Sequence, residues 1–235
     1  MQQGEETSLL LLPVALGIAV GAVIASRFSG DRIEPGLTPL GLFGMAGSLF
    51  AIQAAPHSTQ WVAVCLSVLG VSSGIFSLPI RTLCQVLPPD ATRGSVLGFS
   101  QGMDFIGILL AGPALALMQA GGLTPPGMIV VTGVLLVLAF LASLRFAAHF
   151  TVRFLIWLLA HAVYRMKVRG SERIPERGGA LLVANHVSFV DAVLIAAVAG
   201  RPVRFLMFRG FFEVPLLGWF ARRMDAIPVS SRDKI

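Results

Sequence analysis

The stretch Gly127-Met-Ile-Val-Val-Thr-Gly-Val-Leu-Leu-Val-Leu-Ala-Phe-Leu-Ala-Ser-Leu-Arg-Phe-Ala147 contains a single charged side chain, Arg145. A helix rises 1.5 Å per residue, so roughly 20 mainly apolar residues cross about 30 Å of hydrocarbon. This run reads as a membrane span. Four further segments, roughly 8–26, 38–56, 61–80 and 95–119, meet the same criterion. The predicted class is mainly α: a polytopic membrane helix bundle of about five spans over residues 1–147. Composition agrees, because apolar residues make up 55% of the 235 and charged residues 13%, about half the usual charged share of roughly 25%. A mean hydropathy of +0.81 excludes a water-soluble enzyme filling the whole length, and equally excludes disorder. Cys65 and Cys84 lie in or at the end of apolar runs. Two cysteines make no disulfide framework, and they read as inert buried thiols.

The loops give an orientation. Arg27 and Arg32 separate the first two spans, and Arg81 and Arg93 the third and fourth. Arg145, Arg153, Arg165, Lys167 and Arg169 follow the fifth, whereas the loops at 57–60 and 121–126 carry no Lys or Arg. By the positive-inside rule the N-terminus faces out and everything after the fifth span faces the cytoplasm. Residues 1–144 hold four Arg against six acids, and residues 145–235 hold 14 Lys and Arg against six acids. The basic second part is expected to lie against anionic lipid headgroups, and nucleic acid is not an expected partner. Glu5 and Glu6 precede the first span where a signal peptide would carry positive charge.

Inside the spans, Gly17/Gly21, Gly70/Gly74 and Gly98/Gly102 each sit four apart, which puts both glycines on one helix face. They serve either tight packing alone or helices that slide during transport. Asp104 is the one acid well inside a span. It is either a packing Asp bonded to a neighbouring helix or part of a transport path.

The loop Arg27-Phe28-Ser29-Gly30-Asp31-Arg32 directly follows a span. It resembles the cytoplasmic loop signature of the major facilitator superfamily, whose charges latch neighbouring helices. Together with Ile33-Glu34-Pro35-Gly36-Leu37, and Leu78-Pro79 ahead of Gln85, it is similar to the C-terminal half of a lysophospholipid transporter of that superfamily. The resemblance implies transport roles for Asp31 and Arg32, with Asp104 as a further candidate. Members have twelve spans, so the chain is expected to be a fragment unable to form an alternating-access path alone.

Residues 148–169 are apolar with a basic end and contain Trp157 and Tyr164. They are expected to form a separate helix lying in the membrane interface. His149 and His161 within them have no partner ligands at usable spacing, so no metal site is expected. Composition shifts at Gly170, and residues 170–235 read as the start of an α/β domain. Pro175 and Gly178-Gly179 punctuate a loop, and the apolar run Ala180 to Ala184 predicts a buried strand. The polar turn Asn185-His186-Val187-Ser188-Phe189-Val190-Asp191 follows, then an apolar helix from Ala192 to Ala199.

His186 and Asp191 flank four residues, and a tight turn can bring them together. A neutral imidazole can take the proton of an attacking hydroxyl, while a carboxylate on its other nitrogen holds the tautomer and stabilises the developing imidazolium. The whole string resembles the His-x4-Asp block of the glycerophospholipid acyltransferases, which include lysophosphatidic acid acyltransferases. The resemblance implies His186 as general base, Asp191 as its orienting partner, and Asn185 and Ser188 beside the substrate. Val168-Arg-Gly-Ser-Glu-Arg-Ile-Pro175 is similar to the family's entry into this block. Arg201 to Phe220, which combines bases with aromatics, resembles the stretch before the second block. Ala226-Ile-Pro-Val-Ser-Ser-Arg232 is similar to that second block, whose arginine holds the acceptor's phosphate, and this implies the role for Arg232. Asp225 stands where the family has glycine, and one extra residue precedes Arg232.

What these resemblances imply together is a bacterial fusion of transporter, acyltransferase and acyl-carrier-protein ligase, of which this chain is the middle. It would sit as a multi-pass protein in the cytoplasmic membrane with its acyltransferase part in the cytoplasm. Its acceptor would be a lysophospholipid or acylglycerol phosphate, and its co-substrate an acyl thioester of acyl carrier protein or coenzyme A, with no further cofactor. Two alternatives stand beside it: a major facilitator transporter with a non-catalytic tail, and an inactive truncated product.

Overall fold

The structure is a computed structural model that describes residues 10–30, 33–54, 58–163, 168–170, 173–175, 178–188, 190–199, 201 and 203–230. It divides into two compact units, Met1–Thr151 and Val152–Ile235.

Five helices dominate: α1 (Leu11–Ser29), α2 (Leu37–Ala54), α3 (Thr59–Val86), α4 (Asp90–Ala120) and α5 (Pro125–Val163). All five are long and apolar enough to cross a membrane, and the chain is a multi-pass membrane protein by composition and length. The helices overrun the expected spans because the bilayer limits apolar length and not helix length. Local chemistry sets their starts. The Ser58 hydroxyl accepts from the Trp61 N–H at 3.2 Å and caps α3. Asp90 supplies a negative charge in the first turn of α4.

α3 is the helix around which α1 and α2 pack. A Cβ on Gly17 would lie 2.6 Å from the Ser67 carbonyl oxygen and 3.0 Å from the Gly70 Cα. A Cβ on Gly70 would meet the Val14 carbonyl, and one on Gly74 the Ile18 carbonyl. The Gly17/Gly21 and Gly70/Gly74 pairs therefore face each other and let two backbones touch, as small-residue interfaces do in membranes. On the other side of α3, a Cβ on Gly41 of α2 would lie 2.6 Å from the Phe76 nitrogen. Ser72 of α3 is buried. α2 in turn meets α5, where Gly133 lies against the Phe50 ring and the Phe43 and Phe140 rings are 5.6 Å apart.

The third glycine pair behaves differently. Nothing lies within 4 Å of a Cβ placed on Gly98 or Gly102, and α4 contains no buried residue. The expected close approach is absent there among the described residues. α4 is tied to α3 instead by an ion pair, the Arg81 guanidinium 3.0 Å from the Asp104 carboxylate.

The separate interfacial helix expected over 148–169 is not observed. α5 continues unbroken from Pro125 to Val163, because no Pro or Gly follows Gly133 within it to interrupt the hydrogen-bond ladder. Tyr164 lies outside the described residues.

The second unit contains α6 (Val190–Val198), β1 (Leu206–Phe208), a 3-10 turn (Arg209–Glu213), α7 (Pro215–Arg223) and β2 (Ile227–Val229). β1 and β2 pair in parallel, Leu206 with Ile227 and Phe208 with Val229. Parallel strands need a crossover, and the 3-10 turn and α7 supply it. Gly218 allows α7 to approach the 3-10 turn, since a Cβ there would collide with the Phe212 carbonyl. The run Ala180 to Ala184 is not the predicted buried strand. It has no ladder among the described residues, and Leu181 and Val183 are 83% and 87% exposed. An apolar run without a partner strand cannot satisfy its backbone as a sheet.

Candidate active site

The site is built on the turn between residue 185 and α6. Asp191, in the first turn of that helix, reaches back over the turn. Its Oδ2 accepts the Val187 N–H at 2.7 Å and the Ser188 N–H at 2.8 Å. The Asp191 N–H donates to the Ser188 carbonyl at 3.0 Å. The Ser188 hydroxyl accepts the Val190 N–H at 3.4 Å. These bonds satisfy donors that a helix start leaves unpaired. They also hold the carboxylate where His186 can meet it, with Nδ1 3.2 Å from the same Oδ2.

This contact decides the chemistry. An acceptor oxygen opposite Nδ1 selects the tautomer protonated at Nδ1, which leaves the Nε2 lone pair as a base. The His186 side chain is 68% exposed and Asp191 27%, so the imidazole is open to a substrate while its partner is set into the turn. The Asp191 carboxyl is held below its ordinary value of 3.8, first by the Ser188 N–H, then by the Val187 N–H, with a smaller contribution from His186. The group thus stays ionised and ready to stabilise an imidazolium.

The other expected site residues fall in different places. Asn185 is exposed in the extended run immediately before His186. Ser188 shapes the turn through its main chain and hydroxyl. Arg232, Asp31 and Arg32 lie outside the described residues. Asp104 is in α4, paired with Arg81. Spacing gave no sign of that partner, because Arg81 reads as a loop charge and the structure places it within α3.

Two residues that sequence reasoning missed support the turn and the strand pair. Arg201 donates to the Pro175 carbonyl at 2.7 Å and to the Gly178 carbonyl at 2.9 Å, clamping the loop that leads into the extended run. Arg204 donates through Nε to the Asp225 carbonyl at 3.0 Å. Asp225 itself has φ +51°, the left-handed region that glycine occupies freely and that Asp tolerates better than most residues. Its substitution for the family's glycine is thereby accommodated. Along the β1–β2 connection, Phe208 and Trp219 are exposed, and Val214, Leu217, Trp219 and Phe220 line an apolar depression of about 540 Å³.

Residues 165–234 match the family described as Acyltransferase. A chloroplastic 1-acyl-sn-glycerol-3-phosphate acyltransferase of Arabidopsis thaliana is 27% identical over 86 residues, 36% of this chain and 24% of that protein. A lysophospholipid transporter of Yersinia enterocolitica is 37% identical over 79 residues, 33% of this chain and 19% of that one. An enterobactin exporter of Escherichia coli is 29% identical over 150 residues, 60% of this chain and 35% of that one. The chain thus spans between 19% and 35% of the length of these curated relatives. No solved structure matches it. One chain therefore joins a membrane segment similar to transporters to a segment, residues 165–234, that matches the Acyltransferase family model.

Proposed function

We propose that the protein transfers an acyl group from a thioester to a lysophospholipid or acylglycerol phosphate at the cytoplasmic face of a bacterial inner membrane, coupled to uptake of that lipid. The observation that carries the reading is the 3.2 Å contact between His186 Nδ1 and Asp191 Oδ2 on an exposed turn. His186 Nε2 removes the proton of the acceptor's glycerol hydroxyl as that oxygen attacks the thioester carbonyl carbon. The tetrahedral intermediate then collapses with loss of the thiolate. The imidazolium returns its proton to the sulfur, giving an ester and a free thiol. Asp191 stabilises the imidazolium between the two proton transfers.

The acceptor's phosphate falls to Arg232, whose fork of donors suits two oxygens. Asn185 lines the acceptor side of His186. Acyl carrier protein or coenzyme A carries the acyl group, and the apolar depression along the β1–β2 connection is suited to an acyl chain. The similarity of the membrane segment to a lysophospholipid transporter supports the coupling, and the arginine distribution of the loops supports the orientation.

The test separates the two activities. His186→Ala should abolish acyl transfer while leaving lysophospholipid uptake largely intact. Thiol release and labelled lysophospholipid uptake are measured on the same membranes. If thiol release persists at the wild-type rate in this variant, the catalytic assignment is wrong and the second unit is a non-catalytic tail.

A further inference from the structure

We infer that the Arg81–Asp104 pair is an anion site for the phosphate of a lysophospholipid, with Asp104 as the counter-ion that the phosphate displaces. The inference deepens the transport half of the reading above and rests on it.

The pair joins two helices apolar enough to cross a membrane. Charges in such segments are costly, and they persist where they face a polar cavity or mark a cargo path. Asp104 is fourteen residues into α4, about 21 Å along its axis at 1.5 Å per residue, so it is no end-of-helix charge snorkelling to the surface. The two side chains are 56% and 51% exposed.

Its surroundings are polar by position. Ser73, Ser77 and Arg81 follow one another at intervals of four along α3, and Ser100 and Gln101 precede Asp104 by four and three on α4. Such spacings place each set on one helix face. The Arg81 face of α3 thus carries a row of serines, and the Asp104 face of α4 two further polar side chains.

Recognition follows from the chemistry of the two groups. A guanidinium offers its donors in a planar fork that fits two oxygens of a phosphate. The Asp104 contact uses one terminal nitrogen, NH2, at 3.0 Å. A phosphate diester brings a negative charge of its own and can replace the carboxylate at the fork. A neutral monoacylglycerol cannot. The exposed apolar flank of α4 beyond Asp104, with Phe105, Ile108 and Leu109 exposed, suits the acyl chain of the same molecule.

The test is equilibrium binding of radiolabelled lysophosphatidylethanolamine to the full chain in nanodiscs, every form including the wild-type reference carrying Arg232→Ala so that the acceptor site of the acyltransferase part does not contribute. Monoacylglycerol and inorganic phosphate serve as competitors. Wild type should bind the lysophospholipid and be displaced by neither competitor at equal concentration. Arg81→Gln should weaken binding tenfold or more, the usual loss for a charged hydrogen-bond partner, and Arg81→Lys should weaken it less. Asp104→Asn should tighten binding, because the competing carboxylate is gone. A merely structural pair predicts that Asp104→Asn weakens binding or leaves it unchanged, which would overturn the assignment even if Arg81→Gln failed to fold. Wild-type affinity in folded Arg81→Gln, or displacement by monoacylglycerol, would also overturn it. Displacement by inorganic phosphate would identify free phosphate as the ligand and overturn the lipid assignment. Phosphate-dependent binding by wild type, without uptake of the lipid into vesicles, would leave the site standing and remove the transport reading.

Discussion

Asp191→Asn is the substitution that separates what the turn needs from what the chemistry needs. Asparagine keeps a carbonyl oxygen where Oδ2 now accepts the Val187 and Ser188 N–H groups at 2.7 and 2.8 Å, so the start of α6 should persist. The same oxygen lies 3.2 Å from His186 Nδ1, so the contact that selects the tautomer can persist. The amide carries no charge, and a developing imidazolium then faces a neutral group. General-base assistance is worth roughly 10²–10⁴-fold, and kcat for acyl transfer should fall by about that factor. KM for the lysophospholipid should move far less. The assay is thiol release from the acyl thioester, run beside far-UV circular dichroism and thermal unfolding of the same preparation. Acidification gives a second readout. The carboxyl is held below 3.8 in the folded protein, so as pH falls the unfolded chain takes up this proton first. The stabilisation is complete above the ordinary carboxyl value and is lost as pH drops below it towards the folded one. Asp191→Asn should lack that acid loss. Wild-type turnover by a correctly folded Asn variant would refute the role given to Asp191.

Four further outcomes are expected. Gly74→Ala places a Cβ against the Ile18 carbonyl and 2.7 Å from the Ala22 nitrogen, so it should lower the thermal midpoint in detergent. Gly98→Ala, with nothing within 4 Å, should be silent or gain up to about 1 kcal/mol of helix propensity. At Asp225, with φ +51°, Gly should be tolerated. Val should cost about 1–2 kcal/mol, read from denaturant unfolding of the full chain. In a background with Cys65→Ala and Cys84→Ala, an impermeant thiol reagent applied to intact cells should label Thr59→Cys and spare Asp31→Cys. The reverse pattern would invert the orientation.

The helices were legible because hydropathy is a local property that long runs average. Their ends were not. Arg81, Thr82 and Gln85 read as loop, yet α3 keeps its ladder through them to Val86. The His186–Asp191 contact was legible because five residues around one turn leave few alternatives. The Arg81–Asp104 contact was not, because it depends on the tilt and rotation of two helices whose residues lie 23 apart. Glycine spacing marked all three pairs alike, and only packing distinguished Gly70/Gly74, which touch α1, from Gly98/Gly102, which touch nothing. The strand pairing was the least legible. The apolar run Ala180 to Ala184 stays unpaired among the described residues, while Leu206–Phe208 and Ile227–Val229 find each other across a crossover.

The 39 residues of α5 make a rod of about 58 Å at 1.5 Å per residue. Hydrocarbon about 30 Å thick could contain it only at a tilt near 60°, and helices in membranes tilt by about 0–40°. Even at the steepest of these angles the rod stands about 45 Å tall, so about 15 Å must rise clear of the acyl chains. The end bearing Arg145, Arg153, Trp157 and His161 is the one suited to headgroups. The same helix that anchors the chain in lipid is thus a gauge of fixed length, whose excess over the hydrocarbon is set in ångströms by its count of residues.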